Sequence, residues 1–301
     1  KQSNELNTFD QTNVLSDIGV SHLHYDQETG ILFIGYTNGN IDLVADGITQ
    51  NLVDIKQSSS ISGSRQINDV LTHEGFFYVA TGYGISVIDP DRFEVKETVF
   101  MGELGTESQV HQIAKLADTL FAATNRGLFY TTFENPLFTN IEAWSRYTDF
   151  PDGESDGPIN QVVTMNGELF ANYHNATIND GDIIYRRDEG FWTPIRSNLR
   201  VRNLEISSLG LVVCTNTPIF LLDRNGGQIA ARWNYYGRDF SAPAALVTPD
   251  TVFWYLGNSL GLVSSFSVTS MYMFSEWASK ELRMDHEFIF WRIMGYRRVC
   301  D

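Results

Sequence analysis

A chain of 301 residues with 43% hydrophobic and 13% aromatic content carries enough apolar material for one large or two ordinary domains, which excludes wholesale disorder. Its 37 acidic residues against 21 basic ones give a net charge of −16, a field that repels phosphate backbones and argues against a nucleic-acid partner. Two cysteines, Cys214 and Cys300, exclude a disulfide framework and a multi-cysteine zinc site, and no stretch approaches the roughly 20 apolar residues of a membrane span.

The chain opens KQSNELNTFD, so a signal peptide is absent, already removed or outside this sequence. The first strand-forming stretch is GVSHLHYDQETGILFIGYTNGNIDLVAD: a strand, a turn, a second strand ending in GY, and an Asn38-Gly39-Asn40 turn into a third alternating strand. The same order returns in INDVLTHEGFFYVATGYGISVID from Ile67 and in VHQIAKLADTLFAATNRGLFYT from Val110. It returns again from Ile159, with a longer second turn, from Val201, and more weakly in AALVTPDTVFWYLGNSLGLVSSF. Successive steps from Ile67 to Val110, Ile159 and Val201 are about 43, 49 and 42 residues, the period of propeller blades.

Between copies lies a fourth strand candidate: VKETVFM, AWSRYT, FWTPIR and QIAARWNYY. Four antiparallel strands per copy bury their faces only against neighbouring copies, which closes into a ring. The reading is an all-β propeller of four-stranded blades over residues 1–268, with six blades visible of an expected seven. Gly39, Gly84 and Gly127 hold the slot between second and third strands, where a positive φ is expected. After GLVSSF the pattern stops. Residues 269–301 hold four of the six methionines and balance their charges, so they read as an atypical tail, frameshifted or fused, with a short helix around SEWASKELRM as the alternative.

No catalytic constellation is found, and no cofactor is expected. His22 and His24 share a strand face and would suit a metal, but no third ligand follows at the right spacing, so no metal site is assigned. His73, His111, His174 and His286 fall in separate copies or the tail. Asp152, Glu154 and Asp156 before Gly157 resemble half a calcium loop, but the closing position is Val163, inside a strand. The polar residues that start each inner strand converge at the mouth of a central channel, a common propeller binding place. Asn68, His111, Gln112, Asn160, Arg202 and Asn203 are therefore the candidate ligand-binding set. Trp192, Tyr235 and Tyr236 read as exposed aromatics able to stack on sugar rings.

Residues 36–102 carry a resemblance. NGNIDL, INDV, YVATGYGISVID and EVKETVFMG stand in the order and spacing of the N-terminal propeller of the PorZ family of the Bacteroidetes type IX secretion system. The likeness is specific over residues 1 to about 145 and consistent to about 268. It is shared in part with sensor propellers of hybrid two-component regulators. The resemblance implies a non-enzymatic protein exported through the periplasm to the cell surface and outer membrane. Its implied partners are a sortase-like protease, a barrel-associated shuttle protein and an anionic lipopolysaccharide to which secreted cargo is attached. It also implies that one blade precedes Lys1. The alternative is a periplasmic sensor propeller binding an oligosaccharide.

Overall fold

The computed structural model describes residues 11–12, 14–151, 157–175, 181–215 and 218–232, and beyond them the backbone of strands 245–247, 252–256, 263–267 and 273–274. These residues form six four-stranded antiparallel sheets, each a meander whose strands are neighbours in chain order. The fold is a β-propeller.

The first blade runs through Val20–Tyr25, Leu32–Tyr36, Ile41–Ala45 and Ile48–Leu52. The second takes Ile67–His73, Phe76–Thr81, Gly84–Asp89 and Glu94–Phe100. The third takes Val110–Leu116, Thr119–Thr124, Gly127–Thr132 and the short outer pair Ser145–Arg146. In the fourth, Ile159–Met165, Glu168–Tyr173, Asp182–Asp188 and Phe191–Leu199 follow. The fifth comprises Val201–Ser207, Gly210–Thr215, Ile219–Leu222 and Gln228–Arg232. The sixth joins Ala245–Val247, Val252–Leu256 and Val263–Ser267 to Met273–Phe274. That last pair extends the blade pattern past Phe266, where the sequence pattern ends; the helix expected around SEWASKELRM lies outside the described residues.

The cores lie between blades rather than within one. In the second strand of the second blade, Phe77 and Val79 pack toward the first blade, whereas Tyr78 and Ala80 pack toward the third. Alternate residues of a strand point to opposite faces, and both faces are covered. This explains why FFYVAT and TLFAAT are near-continuously apolar instead of alternating. The same partition puts Leu120 and Ala122 on one side of the third blade and Phe121 and Ala123 on the other.

The first strands of successive blades lie side by side around the centre. Each is an edge strand, whose inward N–H groups lack a fifth strand to meet them. Side chains of the preceding blade supply the acceptors. Asp69 Oδ2 accepts from Ile113 N at 3.0 Å, Gln112 Oε1 from Val162 N at 2.8 Å, and Gln161 Oε1 from Leu204 N at 3.0 Å. The donor is the fourth residue of its strand in all three cases, and the acceptor is the third residue of the strand before it. A short side chain–backbone bond also recurs at the second turn. Thr81 and Thr124 donate through Oγ1 to the carbonyls of Gly84 and Gly127, each at 2.8 Å, and Thr215 to Pro218 at 2.6 Å.

The glycine slot divides into two physical cases. Gly39 has φ +82°, the left-handed conformation that the turn needs, and a Cβ there would lie 2.7 Å from Ile55. Gly84 is the first residue of its strand and also has a positive φ. A Cβ there would sit 2.0 Å from the Val99 carbonyl oxygen of the outer strand, so the lack of space adds to a positive φ of +159° in requiring glycine.

Candidate binding site at the channel mouth

The inner strands of the first five blades begin with the same irregularity. Val20 pairs with Tyr36 and His22 with Gly35, so Ser21 is an extra residue facing no partner. In the same way the register skips Asn68, His111, Asn160 and Arg202 in the next four blades. An extra residue of this kind bends the strand and redirects its side chain. The second residue of each inner strand is thereby turned out of the packed sheet.

Ser21, Asn68, His111 and Asn160 line one cavity of about 290 Å³. The residues just ahead of the inner strands join them, Gln66 before Ile67, Gln109 before Val110 and Pro158 before Ile159. Asn125 and His174, which follow the second strands of the third and fourth blades, complete the wall together with Gln161. Among the described residues lining it there is no carboxylate, lysine or arginine.

Hydrogen bonds fix most of these groups. Asn68 donates through Nδ2 to the Val110 carbonyl at 2.7 Å, tying the bulge to the next blade. The His111 ring meets Asn125 Oδ1 through Nε2 at 2.7 Å, and burial lowers its pKa, keeping the imidazole neutral. His174 donates through Nδ1 to Asp182 at 3.1 Å. Asp182 is fully buried and also accepts from Val201 N at 2.8 Å, so one carboxylate orients the imidazole and starts the fifth blade. Asn160 accepts through Oδ1 from Asn172 Nδ2 at 2.7 Å.

The structure divides the six residues expected at the mouth. Asn68, His111 and Asn160 line the cavity; Arg202 holds the equivalent bulge of the fifth blade but does not line it. Gln112 and Asn203 are one residue further along and point away, because side chains alternate on the strand. Gln112 forms the bond to Val162, and Asn203 donates to Glu205 at 2.7 Å. Ser21, Gln66, Gln109, Asn125, Gln161 and His174 were not expected. Alignment of the copies would have found Gln66 and Gln109, which share one slot ahead of the inner strand.

Other expectations meet different outcomes. Trp192 is not an exposed stacking platform: it is 5% exposed and stacks on Phe150 with ring centroids 4.3 Å apart, inside the core between the third and fourth blades. Its outer strand alternates, and Phe191 takes the outward position at 73% exposed. Tyr235, Tyr236, Asp152, Glu154, Asp156 and His286 lie outside the described residues. His22 faces Asp69 at 3.6 Å and His24 meets Thr72 Oγ1 at 2.8 Å, so both imidazoles bridge the first blade to the second. Cys214 is fully buried, and burial raises its pKa well above the ordinary thiol value. Among the described residues no helix is long and apolar enough to cross a membrane.

Face-to-face four-stranded blades around a polar central opening define a β-propeller. More particularly, residues 1–145 match the family model described as the type IX secretion system PorZ N-terminal beta-propeller domain, so the resemblance read from residues 36–102 is borne out. Among solved structures, the chain is similar to PorZ of Porphyromonas gingivalis, described as an essential bacterial surface component of the type IX secretion system. Identity is 19% and the TM-score 0.65, over 86% of this chain and 32% of that one. It is also similar to the extracellular domains of two putative hybrid two-component systems of B. thetaiotaomicron. For BT4673 the identity is 15% and the TM-score 0.62, over 84% of this chain and 32% of that one. For BT3049 they are 13% and 0.60, over 87% and 35%. The chain thus spans about a third of the length of the solved structures it matches. No curated protein matches it.

Proposed function

We propose that this propeller is a non-catalytic binding and scaffolding module of a type IX secretion surface complex, helping to attach secreted cargo to an anionic lipopolysaccharide at the cell surface. The observation that carries the reading is the family match over residues 1–145. In this reading the chain is one propeller of a longer protein exported through the periplasm. A seventh blade stands before the six described ones. Its partners are a sortase-like protease, a barrel-associated shuttle protein and the lipopolysaccharide.

The test is affinity capture of the tagged full-length protein from envelope extracts of its own organism, with the captured proteins and lipopolysaccharide identified. Recovery of secretion components and lipopolysaccharide is the expected result. Their consistent absence refutes the reading.

The likeness to two-component extracellular domains supports a second reading, a periplasmic sensor propeller that binds an oligosaccharide. The gene decides between them. Translation of all frames upstream of Lys1 and downstream of Phe266 should reveal a further blade, a second propeller and a secretion domain. A transmembrane helix and histidine kinase would instead favour the sensor.

A further inference from the structure

We infer that the cavity at the channel mouth binds an uncharged, polyhydroxylated ligand: a sugar ring, either free or as the end residue of a glycan. The inference rests on reading the propeller as a binding module and names the ligand class of its central site.

The chemistry of the wall selects this class. Gln66 and Gln109 make no side-chain hydrogen bond among the described residues, so each offers an amide donor and a carbonyl acceptor. Asn160 spends its carbonyl on Asn172 and keeps its amide N–H groups. Behind it, fully buried Asn172 retains an Oδ1 with no hydrogen-bond partner among the described residues. His174 commits Nδ1 to Asp182 and leaves Nε2 as the ring atom for a ligand. Sugar hydroxyls donate and accept at once, which matches a wall of paired amide donors and acceptors. An anion wants donors alone and a cation acceptors alone, and the wall offers no charge to either. The net charge of −16 further disfavours an anion. At about 290 Å³ the cavity is at the small end of ligand sites, which run from roughly 300 to 1,000 Å³, so it takes one ring rather than a chain.

The placement has a geometric cause. Strand bulges aim Ser21, Asn68, His111 and Asn160 into one cavity; a bond to the next blade from Asn68 and a bond within the fourth blade from Asn172 to Asn160 hold two of those bulges. A site on rigid elements loses little freedom when it binds.

The experiment is saturation-transfer NMR on the chain with methyl glucoside, methyl galactoside, methyl mannoside, N-acetylglucosamine and glucuronate, followed by titration of any binder. Trisaccharides ending in the bound residue are titrated alongside, and tighter binding than the free sugar identifies a glycan end as the source. The variant Gln66→Leu/Gln109→Leu removes two amides that make no side-chain hydrogen bond among the described residues, and its melting temperature checks that it folds. Gln109→Leu alone serves if the double variant does not fold. At least one uncharged sugar should bind, about ten-fold more weakly in the variant. Silence across the uncharged sugars, equal affinity in the folded variant, or preference for glucuronate overturns the inference. Envelope capture with the full-length variant separates the two readings. Sugar binding without secretion partners leaves the site and refutes the secretion reading; the opposite pattern refutes the site alone.

Discussion

Gln112 reports directly on what holds one blade to the next. Its Oε1 is the acceptor for the Val162 backbone N–H at 2.8 Å, and Val162 is 1% exposed. Gln112→Ala removes that acceptor and leaves a buried donor on an inner edge strand. The net worth of such a bond is about 1 kcal/mol, but an orphaned buried N–H costs its full desolvation, about 1–3 kcal/mol. A loss near 2 kcal/mol is expected, which in a chain of this size lowers the melting temperature by about 4 °C. Gln112→Glu keeps an oxygen in the same place. Asp69 already performs the equivalent task toward Ile113 with a carboxylate, so the Glu variant should stay within about 1 °C of the parent. Thermal unfolding followed by circular dichroism compares the three proteins under one condition. A parent-like Gln112→Ala, or a Gln112→Glu as weak as the alanine, refutes the argument that this acceptor stabilises the blade pair.

Gly84→Ala places a Cβ against the Val99 carbonyl, and the second blade must part its third and outer strands. A loss of about 2 kcal/mol or more is expected in urea titration. Trp192→Ala empties the space beside Phe150 and should cost about 3–5 kcal/mol, whereas Phe191→Ala, on the opposite face, should cost less than about 0.5 kcal/mol. Lys56 donates to Asp17 at 2.6 Å, and this bond holds the carboxyl at about 2 instead of 3.8. The folded value is depressed, so its stability is complete above pH 4 and disappears as pH falls toward 2. Because Lys56 is 40% exposed, solvent screening keeps the gain under about 1 kcal/mol, and Lys56→Ala should flatten the stability slope between pH 4 and 2. Cys214 should resist iodoacetamide in the folded chain and react on unfolding in guanidinium; rapid labelling of folded protein would contradict its burial.

The period of strands and turns from Val20 to Phe266 was legible in the residues because it is local. FFYVAT and TLFAAT declare strands covered on both faces, NGN and NRG declare turns, and an interval of about 43 residues declares a blade. That polar residues open the inner strands was legible too, and Asn68, His111 and Asn160 line the cavity. Tertiary structure decided which neighbours share that fate. One extra residue near the start of their inner strands turns Asn68, His111 and Asn160 inward, and Gln112, the residue after one of them, faces the next blade and binds Val162 instead of the opening. Trp192 was misread for a related reason. Outer strands alternate, and only the seating of Phe150 against the blade shows which alternate face is covered. Local propensity determines the strand and its period; the bulge, and the blade that lies alongside, determine where each side chain points.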